Sequence, residues 1–152
     1  MSELPPYARV LGLTEEPQAA GPPLLVMPFA DPVLGRPGFL HGGAITGLLE
    51  MAAIVTLRHA LADEGGGRIK PVNVTVDFMR GGRDKPTRAA GVVTRLGTRV
   101  ANVVAAAWQD ERDRPIASAR MNYLLERNGF SPVEIRTVDT RSPGDGRAIG
   151  EG

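Results

Sequence analysis

Phe39-Leu40-His41-Gly42-Gly43-Ala44-Ile45-Thr46-Gly47-Leu48-Leu49-Glu50-Met51-Ala52-Ala53 is the stretch whose reading decides the fold. Ile45, Leu48, Leu49, Ala52 and Val55 recur at the spacing of a buried helical stripe. The helix is expected to run from about Gly42 to Ala62 and to stop at Gly65-Gly66-Gly67. A helix this apolar belongs at the centre of its domain. A glutamate inside it is solvated, paired or used.

Working outward, Leu24 to Phe29 reads as a short strand, and the prolines at its flanks and at Pro28 suggest an edge position. Tyr7 to Leu13 has the pattern of a short amphipathic helical turn. Beyond the helix, Val72, Val74, Val76 and Phe78 alternate with Asn73, Thr75, Asp77 and Met79, which is the period of a strand. Thr87 to Leu96, Val100 to Gln109 and Ile116 to Leu125 give three more strands. Leu96-Gly97-Thr98-Arg99 is a tight hairpin signal. The stretch Val100 to Gln109 is apolar on both faces, so both are expected to be covered. One strand, one long helix and a four-strand antiparallel run make an α+β domain with a helix packed on a sheet. Residues 1–126 read as that single domain. From Arg127 the composition turns to Gly, Pro and charge, so residues 127–152 read as a mobile tail.

Composition narrows the chemistry. The 152 residues suit one core, and a net charge of +1 gives no strong field for nucleic acid or an anionic membrane. The absence of Cys excludes disulfides and thiolate catalysis, and two histidines, His41 and His59, leave no multi-histidine metal site in one chain. No basic region followed by an apolar run marks the N-terminus, and no apolar stretch approaches membrane-spanning length. A soluble cytoplasmic protein is the default expectation.

On a helical wheel, Gly43, Gly47, Glu50 and Ile54 share one side, while Ile45, Leu48, Ala52 and Val55 share the expected sheet-facing side. Glycine inside a helix costs about 0.5–1 kcal/mol relative to alanine. Gly47 therefore indicates a close approach, by another helix or by a ligand. The first amides of a helix have no internal partner, and a developing oxyanion suits them. Gly43 and Glu50 are nevertheless about 10 Å apart along the axis, at about 1.5 Å per residue. Two antiparallel helices from two subunits place both groups on one carbon more easily than one helix does. The plainer alternatives stay open. Gly42-Gly43 serves equally as a tight turn into the helix, Glu50 as a solvated or Arg-paired residue, and His41 as a polar end group. His59 suits the negative end of the helix dipole.

His41-Gly42-Gly43 followed by Leu48-Leu49-Glu50-Met51-Ala52 resembles the signature of hotdog-fold acyl-CoA thioesterases, of the phenylacetate-pathway and hydroxybenzoyl-CoA type. The acid stands nine residues after the His, as in that pattern. Val74-Thr75-Val76-Asp77-Phe78-Met79-Arg80 is similar to the family's next strand, Leu96 to Arg99 to its hairpin and Tyr7 to Leu13 to its opening helix. The resemblance covers about residues 5–126. It implies a curved antiparallel sheet wrapped around one helix, a homodimer or homotetramer, and a site between subunits. It implies Glu50 as general base or nucleophile, Gly42 or Gly43 as the amide that polarises the carbonyl, and His41 beside them. It further implies an acyl-CoA substrate, no cofactor, and a nucleotide held by Arg80, Thr98 and Arg99, with Arg127. Guanidinium groups suit phosphates. This chain departs from the pattern in two places. Gly35, Arg36, Pro37 and Gly38 occupy a loop where many relatives carry Asn or Gln, and Ile54 stands where some carry a hydroxyl. Both changes imply weaker positioning of water. A hydratase or dehydratase using His41 with Glu50, and a non-catalytic acyl-CoA-binding protein, are the competing readings.

Overall fold

The computed structural model describes residues 4–128. The expected tail therefore lies outside the described residues, except for Arg127 and Asn128. Those two belong to the folded body, because Arg127 ends the last strand.

A short helix α1 (Tyr7–Val10) leads into strands β1 (Thr14–Glu16) and β2 (Leu24–Met27). Helix α2 (Gly42–Ala62) follows, then β3 (Gly67–Phe78), β4 (Thr87–Leu96), β5 (Val100–Trp108) and β6 (Ala117–Arg127). The six strands form one antiparallel sheet in the order β1-β2-β4-β5-β6-β3. Its inner face wraps α2. Ala101, Val103, Ala105 and Ala107 of β5, with Ala117, Ala119, Met121, Tyr123 and Leu125 of β6, alternate inward and are buried. These small side chains bring the helix close. A close approach lies at Gly91 of β4, where a Cβ would stand 2.7 Å from Thr56 Oγ1 and 3.1 Å from the Ala52 carbonyl. The outward residues of β5, Asn102, Val104 and Ala106, remain half-buried, so the expected covering of both faces is met on the inner face alone.

Helix α2 begins and ends as its sequence dictates. His41 is extended (φ −73°, ψ 135°) and its Nδ1 accepts the Gly43 N–H at 2.8 Å, as an N-cap. At the other end Gly65 takes a positive φ of 91°, and the Gly66 N–H returns to the Leu61 carbonyl at 2.8 Å, closing the last turn. The helix is long and apolar enough to cross a membrane by length and composition, which corrects the sequence expectation. Its window is 61% buried inside this fold, as befits a core helix.

Two further expectations are corrected. Strand β2 is not an edge, because β1 pairs outside it. Pro22, Pro23 and Pro28 all fall outside its four residues, so none interrupts the ladder. Strand β1 goes unnoticed in the sequence, since Thr14-Glu15-Glu16 shows no alternation. It is held by pairing with β2 and by a 3.0 Å ion pair from Glu16 to Arg88 of β4. The opposite edge belongs to β3, which starts five residues earlier than Val72. Its register shifts between Pro71 and Asn73, making Val72 the extra residue of a bulge. An amide ladder fixes the register there. Asn102 donates to Asn122, and Asn122 Nδ2 donates to Asn73 Oδ1 at 2.8 Å, across β5, β6 and β3.

Candidate active site

Glu50 projects from the middle of α2, half-buried, into a cavity of about 240 Å³. Ile54, Pro71, Val72, Val74 and Met121 wall it, and Tyr123 and Asn73 complete the lining. Among the described residues no group hydrogen-bonds or ion-pairs with the Glu50 carboxylate. The solvated or Arg-paired alternative therefore loses its Arg. Tyr123 is 1% exposed, and its hydroxyl donates to Met121 Sδ at 3.5 Å. Burial first, then the charge of Glu50, pushes the phenol up to about 12.

That shift has a measurable consequence. In the unfolded chain a tyrosine ionises near 10, whereas the native protein keeps this proton up to about 12. The native state binds the proton more tightly, so the stabilisation is fully present below pH 10 and is lost as pH rises to 12. The full loss amounts to roughly 2–3 kcal/mol. Urea unfolding between pH 10 and 12 should show this fall in the parent. Tyr123→Phe should lack that share of it, and equal slopes in the two proteins would refute the coupling.

The helix start forms a second hollow, a groove of about 400 Å³ lined by Gly42, Ile45, Phe78, Met79 and Arg80, with Arg36 and Phe39 at its side. The Phe78 ring lies over Gly42, 3.3 Å from where a Cβ would stand. Gly43 and Gly42 part company here. The Gly43 amide is taken by His41, whereas the Gly42 N–H has no hydrogen-bond acceptor among the described residues. His41 thus acts as the polar end group of the helix. The Phe39 ring is sandwiched between the guanidinium groups of Arg36 and Arg83, at 4.1 and 4.3 Å. Among the described residues, Arg36, Arg80 and Arg83 have no carboxylate partner. The loop bearing Arg83 is clamped by Gln109, which accepts the Arg83 N–H and donates to the Arg83 and Lys85 carbonyls at 2.9, 3.0 and 3.1 Å.

The other predicted residues lie elsewhere. Gly47 is covered by α1, with Tyr7 Cε1 2.7 Å and Leu11 Cδ1 3.1 Å from a Cβ built there. The close approach is by a helix of the same chain. Thr98 and Arg99 sit in the β4–β5 hairpin, where the Arg99 carbonyl accepts the Leu125 N–H. Arg80 lies beside Ile116, nine residues along β6, or about 30 Å at 3.3 Å per residue. One protomer therefore does not bring Arg80 together with Thr98 and Arg99. Arg127 is committed to the fold: it pairs with Glu64 and donates to the Gly97 carbonyl at 2.7 Å. His59 is exposed near the end of α2. A further cavity of about 530 Å³, between α1, β1 and β2, borders neither Glu50 nor Gly42. Sequence reasoning misses Tyr123, Arg36 and Arg83. A tyrosine at an inward strand position reads as core, and the two arginines meet only through the folding of the loop around Phe39.

The sequence pattern of the thioesterase superfamily matches residues 37–116, which contain α2 with Glu50, the helix start and the strands β3 to β5. This chain belongs to the thioesterase superfamily. Solved structures agree on the fold. A Chromobacterium violaceum protein is 34% identical over 79% of this chain and 82% of its own, with a TM-score of 0.64. A phenylacetic acid degradation-related protein of Ralstonia eutropha is 24% identical over 81% of this chain and 92% of its own, with a TM-score of 0.66. A Bacillus halodurans protein solved with CoA is 15% identical over 84% of this chain and 82% of its own, with a TM-score of 0.69. No curated protein matches the chain in sequence. The α+β architecture expected from the helix and the four-strand run is observed, and so is the hotdog arrangement that the resemblance implies, with the sheet wrapped around α2.

Proposed function

We propose that this protein is an acyl-CoA thioesterase that works as a homodimer. The observation that carries this is the unpartnered Glu50 carboxylate in an apolar cavity whose outer wall is the free edge strand β3. That strand leaves Val74 37% and Phe78 56% exposed. A long exposed edge invites pairing with another strand. The Glu50 cavity lies at residues 71–74 of β3 and the Gly42 groove at residues 78–82. Two copies of β3 paired antiparallel around Val76 would set the cavity of one protomer against the groove of the other. The same pairing brings the Arg80 end of one protomer toward the hairpin end of its partner, which answers the separation of Arg80 from Thr98 and Arg99. Arg36, Arg80 and Arg83 supply unpaired cations for the nucleotide phosphates. The CoA bound by the Bacillus halodurans protein of the same fold supports that substrate class.

The chemistry follows from the two halves. Glu50 takes a proton from water as the water oxygen bonds to the thioester carbon. The Gly42 amide of the other protomer holds the oxyanion that forms. Collapse breaks the C–S bond, and the proton on Glu50 passes to the departing sulfur. Water is the only co-reactant needed.

The test is thiol release across a panel of acyl-CoA esters, with the mass in solution measured on the same sample. Hydrolysis of at least one ester by a species of twice 16.1 kDa, or a multiple of that, is expected. A monodisperse monomer would sink the dimeric site, and a panel without turnover would sink the activity.

A further inference from the structure

The cavity beside Glu50 holds a second polar group that the proposed reaction has not yet used. Tyr123 enters from β6, opposite Ala101 of β5 and Pro71 of β3. A buried tyrosine hydroxyl ordinarily finds an oxygen or nitrogen partner. This one has a thioether sulfur at 3.5 Å, which is a weak acceptor. A thioether carries no proton, so the hydroxyl must be the donor in that contact. The phenol oxygen then keeps its lone pairs for a donor coming from the cavity. Glu50 is likewise an acceptor with no donor among the described residues. The remaining walls, Ile54, Pro71, Val72, Val74 and Met121, offer no polar side chain. Asn73 also lines the cavity, and its Oδ1 is held by Asn122 in the outer-face ladder. Glu50 and Tyr123, with Asn73, thus border about 240 Å³ of otherwise apolar space, where a water in the liquid takes about 30 Å³.

We infer that Tyr123 positions the attacking water: its oxygen and the Glu50 carboxylate accept the two protons of one water molecule and leave a lone pair free for the thioester carbon. The inference rests on the thioesterase reading of the same site. In the step, the water oxygen bonds to the carbonyl carbon and the carbonyl electron pair moves onto its oxygen. The proton facing Glu50 passes to the carboxylate. The proton facing Tyr123 stays on the incoming oxygen, so the phenol neither gains nor loses one. Its upward-shifted ionisation suits this passive role, since the hydroxyl keeps its own proton for Met121.

Tyr123→Phe removes the oxygen and keeps the buried ring. Loss of orientation should lower kcat by about 10- to 100-fold with KM held within about twofold. In a Glu50→Gln background the same change should add little, because the water it positions is no longer activated. Crystals of the parent should show a water within hydrogen-bond distance of both oxygens, and crystals of Tyr123→Phe should lack it. Three results would overturn the inference while leaving Glu50 as the base. One is a Tyr123→Phe kcat within about twofold of the parent while Glu50→Gln is inactive. Another is a raised KM at constant kcat, which would make Tyr123 a substrate contact. The third is a parent crystal with no water touching both oxygens. Full activity in Glu50→Gln would instead overturn the base and, with it, the water.

Discussion

Glu50→Gln is expected to lower thioester hydrolysis by about 10²–10⁴-fold, the usual contribution of a positioned general base. Glutamine keeps the shape and a carbonyl acceptor but cannot take the proton. The substitution should not harm the fold, because the carboxylate makes no hydrogen bond or ion pair that the core relies on. Replacing an unpartnered carboxylate by an amide in an apolar cavity leaves the melting temperature equal or higher. Loss of activity together with loss of the fold would be uninformative for a buried ion pair, but Glu50 is not one. The measurement is kcat on the best ester of the panel, with thermal unfolding on the same preparation. Near-parental turnover in a folded Glu50→Gln protein would exclude both water activation and direct attack by this side chain.

The second large effect is expected at Gly42. It is the first helical residue after the His41 cap, a position that tolerates proline. His41 already has the extended conformation that a following proline requires (φ −73°, ψ 135°). Gly42→Pro therefore deletes one N–H and little else, with the exposed Phe78 ring yielding slightly to the new atoms. Removing an oxyanion donor costs about 10²–10³-fold in kcat. Gly42→Ala keeps the N–H and should stay close to the parent. The two defects, at Glu50 and Gly42, also test the assembly. Co-expression of Glu50→Gln with Gly42→Pro creates mixed dimers in which one site has both intact halves and the other has neither. Equal mixing should restore about a quarter of parental activity if the halves come from different protomers of a two-fold dimer. No recovery at all would place both groups of each site on one chain.

Much of this fold is visible in the residues themselves. Helix α2 runs from Gly42 to Ala62 as its apolar spacing, its cap and its three terminal glycines indicate, and β4 spans Thr87–Leu96 as expected. The signals that fail are those whose meaning depends on a distant neighbour. Thr14-Glu15-Glu16 is a strand only because β2 offers it an edge. Gly47 marks a close approach in the sequence, but only the fold shows that α1, and not a ligand, makes it. The site divides in the same way. Glu50 stands out because a carboxylate in an apolar helix is anomalous wherever it folds. The choice between the Gly42 and Gly43 amides needs the position of the His41 ring, and the distance from Arg80 to Arg99 needs the strand register. Tyr123 gives no sign in sequence, since its neighbours Met121 and Leu125 alternate inward just as it does.

The bulge at Pro71–Asn73 bears on how such an enzyme changes. The wall opposite Glu50 is built from the strand with the fewest obligations to the hydrophobic interior: Pro71, Val72 and Val74 are all exposed in the protomer. Their exposure means that the interior of the protomer does not depend on them, although the proposed pairing of β3 with a second copy does. Residues that shape the chamber are thereby separated from residues that build the protomer's core. A lineage carrying this scaffold can recut the chamber for a new acyl group by steps that leave the protomer's core and the helix that bears the acid untouched, provided each preserves the pairing of β3.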